Sequence, residues 1–354
     1  MNSGHDNAAE IDAELRRDAE ALQHFFSWDS RFTFRGPVAE GGFGSTHRVQ
    51  YIYQENNQPN VIDFCVKKAH NDEESRRTLR DERRQLQMLQ GGLHIVRLIN
   101  IPDNPLERYN YDEEWLLLEW LPNGTFQDFI WKAQNHGLQR LPNRLLWRFF
   151  LCLIRGACGL AWPKNRQDGL LELELPEPGV PPAGIAHNDL HGGNVLLGDF
   201  SLGEHAITPI LKLIDFGSSG STNTVSDSAP MDSNLWDIGV LMMQLISLDY
   251  MTEPADEPGV FEYLGQTVGT VADKIVAPYI GGPRPFPWLD RWLETLVALC
   301  LTIEDGRLPP IQDFSIYVPY AVVERNAEFY GDPAETDSAI EELCKRIILH
   351  APVS

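Results

Sequence analysis

The chain has 354 residues, 43% apolar and 23% charged, which is enough hydrophobic material for one large two-lobed unit or two domains and too much for a disordered polymer. Its 29 basic and 51 acidic residues leave a net charge of −22, which argues against nucleic acid and anionic membranes as partners. Five cysteines without a C-x-x-C pair argue against a disulfide framework or a zinc ribbon and fit a reducing, cytoplasmic setting, while the polar, acidic opening does not read as a secretory signal.

Residues 8–26 place Ile11, Leu15, Ala19, Leu22 and Phe26 at helical spacing, which predicts an amphipathic N-terminal helix. Alternating segments follow at Arg31–Phe34, His47–Tyr53 and Val61–Lys67, with the turn-rich ENNQPN between the last two, and together they read as an antiparallel meander. A charged, solvent-facing helix is expected from Asp72 to Gln90, stopped by Gly91-Gly92. Ile95–Ile101 and Trp115–Leu121 are expected to be strands. Helical patterns cover 125–136, 143–162, 233–248, 288–302 and 335–349. The apolar tract Leu145–Trp162 is interrupted by Arg148 and Arg155, so it reads as a buried helix and not a membrane span. Residues 163–184 (with LELELPEPGVPPAG) read as an exposed, acidic loop inserted between helical and strand patterns. A strand-rich first third thus gives way to a helix-rich remainder near Leu121–Gly124.

Four features carry chemistry. Gly41-Gly42-Phe43-Gly44 lies between two predicted strands, where glycines let a hairpin backbone offer its N–H groups to phosphate oxygens. Lys67 ends an apolar strand and needs an anionic partner, which Glu82 of the following helix can supply. Asp189 and Asn194 stand five positions apart in His187-Asn188-Asp189-Leu190-His191-Gly192-Gly193-Asn194: a carboxylate to take a hydroxyl proton, an amide oxygen to ligate magnesium. Asp215-Phe216-Gly217 ends a short apolar strand in a carboxylate suited to a hard cation.

In this order and spacing the four features resemble the protein-kinase signature set, over about residues 32 to 310. The resemblance implies an α+β, bilobal protein-kinase-like fold: a small antiparallel-sheet lobe with one main helix (31–121) and a larger, mostly helical lobe (122–354) carrying the 163–184 insert. Residues 1–30 would be a helical extension. ATP and magnesium are the implied cofactors. Carried over position by position, Lys67 contacts the α/β-phosphates and pairs with Glu82, and Asp189 orients or deprotonates the acceptor. Asn194 and Asp215 hold magnesium, and Gly41, Gly42, Phe43 and Gly44 cover the phosphates. Val38, Cys65 and Leu196 would sandwich adenine, with Glu119 and Leu121 in the hinge segment. Leu235-Trp236-Asp237-Ile238-Gly239-Val240 is similar to the buried helix of the larger lobe.

Departures from the pattern bear on the acceptor. His191 stands where Ser/Thr protein kinases usually carry a lysine, and Asn188 where many carry the arginine that grips a phosphorylated activation loop. The His-Asn-Asp and Asp-Leu-His stretches also look like the loops of choline, ethanolamine and aminoglycoside kinases. Only residues 216–233 separate Asp215 from Asn234, which matches the usual buried-helix aspartate, so a peptide-docking platform is shortened. Arg307 lacks the glutamate partner of Ala-Pro-Glu and is expected to pair with Glu304 or stay solvated. The implied activity is phosphotransfer to a protein Ser/Thr hydroxyl; the alternatives are a small-molecule acceptor, such as an amino alcohol or aminoglycoside, or a catalytically weak binding module. The oligomeric state is open.

Overall fold

The computed structural model describes residues 3–201, 203–221, 229–255, 258–304 and 306–349. It is a mixed α/β structure with a four-stranded antiparallel sheet and, among the described residues, ten α-helices. The chain divides into two units: residues up to Met88 with Val96–Trp120, and Leu89–Ile95 with the residues from Leu121 on.

The first unit opens with α1 (Ser3–Ser27), followed by β1 (Phe32–Gly41), β2 (Gly44–Glu55) and β3 (Gln58–Ala69). Asn56 and Asn57 join β2 to β3 with φ of 51° and 58°, the mirror-image two-residue turn that matches strand twist and that asparagine tolerates. After α2 (Glu73–Leu89) and the single turn α3 (Pro105–Arg108), β4 (Trp115–Glu119) completes the sheet in the order β1-β2-β3-β4. Leu22 and Phe26 of α1 bury against Phe32, Val49, Phe64, Val66 and Leu117. The helix read as an extension therefore contributes two of the nine buried residues of this unit's core cluster. Its Asp18 lies 2.9 Å from Lys68 Nζ and accepts a hydrogen bond from Ser45 Oγ (2.8 Å). Glu113 also pairs with Lys68, so the buried ammonium is matched by two carboxylates.

The expected strand Ile95–Ile101 is not one. Arg97 and Ile99 make single bonds to β4, Glu119 N–H to Arg97 O (3.0 Å) and Ile99 N–H to Leu117 O (2.8 Å). A few residues earlier, His94 O instead accepts from Leu213 N–H (2.9 Å). With its backbone groups divided between two partners, the segment builds no ladder.

In the second unit α4 (Phe126–Asn135) starts with a capping box, in which Asp128 N–H donates to Thr125 Oγ1 and Thr125 N–H to Asp128 Oδ2, both at 2.9 Å. All of α5 (Asn143–Ala161) is buried except Arg148. Arg155 within it reaches Glu204 (2.7 Å), which explains how an apolar helix carries an interior arginine. No helix among the described residues is long and apolar enough to cross a membrane. Two short antiparallel pairs follow: β5 (Ile185–Ala186) with β8 (Gly220–Ser221), and β6 (Val195–Leu197) with β7 (Leu211–Leu213). Then come α6 (Ala229–Ser247), a hairpin of β9 (Gly259–Tyr263) and β10 (Gln266–Thr270), α7 (Arg291–Cys300), α8 (Ile311–Glu324), α9 (Ala327–Tyr330) and α10 (Asp337–Leu349). The hairpin and α8 are absent from the expected elements; α8 carries an internal Pro319, which argues against a helix on sequence alone.

The 163–184 insert is a largely exposed loop, as expected, but it is tethered to the rest of the unit. Glu172 exchanges backbone bonds with Gly91 and Leu93 (2.8 and 3.2 Å), Trp162 Nε1 donates to Val180 O (2.9 Å), and Glu174 is fully buried. Arg307 finds Glu304 at 3.4 Å, as expected, and also donates to Gln266.

Candidate functional site

The expected site residues fall in both units. In the first, period-two alternation along β3 sends Phe64 and Val66 into the core and leaves Cys65 and Lys67 on the opposite face. Lys67 Nζ lies 2.7 Å from Glu82 Oε2, with the two side chains 16% and 1% exposed. The next residue, Lys68, is taken by Asp18 and Glu113. Register alone thus decides which lysine faces Glu82. Burial pushes the Cys65 thiol up to about 12, so it is a neutral, apolar surface and not a nucleophile.

The glycine loop is tied down by the end of β3: His70 N–H donates to Phe43 O (3.2 Å) and its ring to Gly41 O (2.9 Å). Its glycines differ. A Cβ on Gly44 would stand 2.1 Å from Lys68 O, so that glycine is demanded by strand packing. A Cβ on Gly42 would meet nothing within 4 Å, and one on Gly41 only Gly44 O at 3.8 Å. Neither has a positive φ. Packing and backbone conformation therefore leave those two glycines unexplained. Val38 and Phe43 are exposed. Glu119 does not offer its carboxylate to a ligand: Arg97 holds it through N–H and Nε, both at 3.0 Å. Trp120 lies under the Arg48 guanidinium, 4.6 Å from ring centre to Cζ.

In the second unit the stretch 187–194 runs between β5 and β6. Asn234 of α6 pins its start, accepting from His187 N–H (2.9 Å) and donating to Ile185 O (2.8 Å). An amide does both; an ionised aspartate could only accept. His187 Nε2 donates to Ile214 O (2.9 Å), which assigns its tautomer. Burial holds this imidazole below its ordinary value, against the Ile214 carbonyl and the charges of Asp215 and Asp189, so both carboxylates lie in its vicinity.

Asn194 Nδ2 donates to the Asp189 carboxylate (3.0 Å) and to its carbonyl (2.9 Å), which fixes the five-residue loop as a closed ring. Ile214 N–H donates to Asn194 O (3.0 Å), and pairing of Val195 with Leu213 carries Asn194 and Asp215 to neighbouring strand ends. The structure thus brings Asp189, Asn194 and Asp215 into one group. No protein-family model matches this chain, and neither does any curated protein. Asp215 of this group and Asn188, next to Asp189, hold φ of 61° and 62°, the left-handed conformation that a non-glycine residue adopts only when its surroundings enforce it. Leu196 is half-buried on β6 and Leu121 is buried, so both line apolar surface.

His191 Nδ1 accepts from Gly193 N–H (3.0 Å), which turns Nε2 toward Asp189 Oδ1 at 3.8 Å. Asn188 Nδ2 donates straight to Ser218 O (3.0 Å), so the chain after Asp215 is held by an amide rather than through a phosphate. Sequence reasoning missed Asp237. Burial, then the nearby charge of Asp189, raises its carboxyl to about 6. The signal was available: Asp237 lies three positions after Asn234 on α6 and so shares its helix face.

Proposed function

We propose that this protein is a magnesium-dependent phosphotransferase of protein-kinase-like fold that consumes ATP. The observation that carries the reading is the ring in which Asn194 fixes the Asp189 carboxylate beside Asp215. Once its Nδ2 is committed to Asp189, the amide of Asn194 has an oxygen to offer. That oxygen and the Asp215 carboxylate are the hard donors magnesium takes, so the residues present fit the ion. Bound there, magnesium would neutralise charge on the phosphate oxygens. Asp189 is set to receive the acceptor's hydroxyl proton as that oxygen bonds to the γ-phosphorus and ADP departs with the electrons of the broken bond. Lys67, held by Glu82, supplies the cation for the α/β-phosphates, and the two glycines whose presence packing does not require leave the loop backbone open to approach by phosphate oxygens.

The leading acceptor is a protein Ser/Thr hydroxyl. A small cationic alcohol is a second reading, favoured by one specific observation: the charge of Asp189 bears on the half-buried Asp237 carboxyl, so an ammonium group bound near Asp189 would interact with two acids. The test combines binding and turnover. ATP with magnesium should raise the melting temperature of the wild type, following RT ln(1 + [L]/Kd). Asp189→Ala should retain that shift while lowering kcat by roughly 10²–10⁴-fold. A wild type that ATP and magnesium fail to stabilise, or an Asp189→Ala variant with undiminished transfer, refutes the proposal. Parallel assays with protein and amino-alcohol acceptors decide between the two substrate classes.

A further inference from the structure

Four residues to which the sequence assigns no role meet inside the second unit. Cys152 comes from the middle of α5, His94 from the segment ahead of Arg97, His205 from the turn Gly203–His205, and Glu174 from the 163–184 insert. None is more than 2% exposed. One donor atom each from His94, Cys152 and His205 lies within 4.8 Å of the others, and Cys152 Sγ is 3.7 Å from His205 Nδ1. Around tetrahedral zinc, bond lengths of about 2.3 Å to sulfur and about 2.0 Å to nitrogen place those ligand atoms about 3.6 Å apart.

Glu174 completes the arrangement. Its Oε2 lies 2.7 Å from His94 Nδ1 and its Oε1 accepts from His94 N–H (2.6 Å). A carboxylate on one ring nitrogen orients the other for a metal and strengthens it as a ligand. The other nitrogen, His94 Nε2, is buried with no hydrogen-bond partner among the described residues. On His205 the nitrogen next to the thiol is Nδ1, while Nε2 is the one left unpaired. A buried imidazole nitrogen left unpaired in a cluster of a thiol and a second imidazole is costly for a fold to keep unless a further group binds there.

We propose that His94, Cys152 and His205 bind one zinc ion, with Glu174 as the positioning residue behind His94. A thiolate with two imidazoles is a borderline-soft donor set, which selects zinc over magnesium or calcium. On binding, the Cys152 thiol releases its proton to solvent as the zinc–sulfur bond forms, and water takes the fourth position. The ion would fasten the insert and α5 to the segment whose His94 carbonyl bonds Leu213, two residues before Asp215. The assignment does not depend on the phosphotransferase reading.

The test uses the full chain, stripped with a chelator and titrated with zinc chloride, with magnesium chloride as control. One zinc per chain by elemental analysis, a raised melting temperature with zinc alone, and a thiolate-to-metal charge-transfer band after cobalt(II) substitution are the expected results. Cys152→Ser should remove the band and weaken zinc binding by at least about 100-fold, and Glu174→Gln by about 10–100-fold, while Cys344→Ser changes neither. Should Cys152→Ser fail to fold, the cobalt spectrum of the wild type decides alone. A folded wild type that takes up no zinc, a cobalt spectrum without the thiolate band, or undiminished zinc binding by a folded Cys152→Ser chain overturns the proposal.

Discussion

Lys67 and Asp189 are held in place by opposite means. The lysine's direction follows from strand alternation and from a partner 15 residues away on the next helix. The stretch around Asp189 depends on groups far along the chain: His187 is anchored to Ile214, 27 residues on, and to Asn234, 47 residues on. The Lys67 group is thus a by-product of a sheet that would form anyway, held by local register. The other is a buried polar network, and such networks hold geometry tightly only while every member is satisfied. The contrast predicts different kinds of failure.

Asn234→Leu should be the most damaging single change. It orphans His187 N–H and Ile185 O in the interior at about 1–3 kcal/mol each, and denaturant unfolding should show the loss. An Asn234→Leu chain as stable as wild type would break the comparison. In the first unit, Gly44→Ala forces a Cβ toward Lys68 O and should cost about 1–3 kcal/mol, measured the same way. Gly42→Ala, with open space around its Cβ, should change stability by no more than about 0.5 kcal/mol yet weaken ATP binding. Equal stability losses at the two positions would show that packing demands both glycines.

Asp237 gives a smaller, pH-dependent effect. Its carboxyl titrates near 6 in the folded chain against an ordinary 3.8, so the folded state disfavours the charged form. The corresponding stability is fully present below about pH 4 and is lost as pH rises through 6. Asp237→Asn should therefore melt higher than wild type at pH 8, and the two curves should meet near pH 4. Coincident curves at pH 8 would remove the case for a strained carboxylate beside Asp189. The smallest effect is expected from replacing Ser218, Ser219, Ser221, Thr222 and Thr224 together by alanine. Because Asn188 holds the Ser218 carbonyl directly, turnover should persist; loss of most activity in a folded variant would show that a phosphate is needed there. Thr222, Thr224 and the side chain of Ser221 lie outside the described residues.

Local rules made much of this legible from residues alone. The Asn56-Asn57 turn, alternation on β3, the Thr125 cap and the predominantly apolar character of α5 each act within a few residues, where sterics and periodicity leave few choices. The Lys67–Glu82 pair and the Asp189–Asn194 ring were foreseeable because their members are close in sequence or one element apart. The strand expected at Ile95–Ile101 failed because its backbone partners are divided between β4 and Leu213, which no local pattern reveals. Within the insert only Glu174 departs from the solvated reading of its acids, because only the fold supplies His94 for it to meet.

Sequence by itself determined most of the elements, though not the β9–β10 hairpin or α8, and which residue types were on offer, since propensity and hydrophobic period are properties of short windows. Only the tertiary structure decided that Asn234 would hold His187, that the charge of Asp189 would bear on Asp237, and that two histidines from distant segments would flank one buried thiol. Those outcomes depend on which distant groups are buried together, and burial is what turns a polar side chain from a solvated bystander into a group that must find a partner.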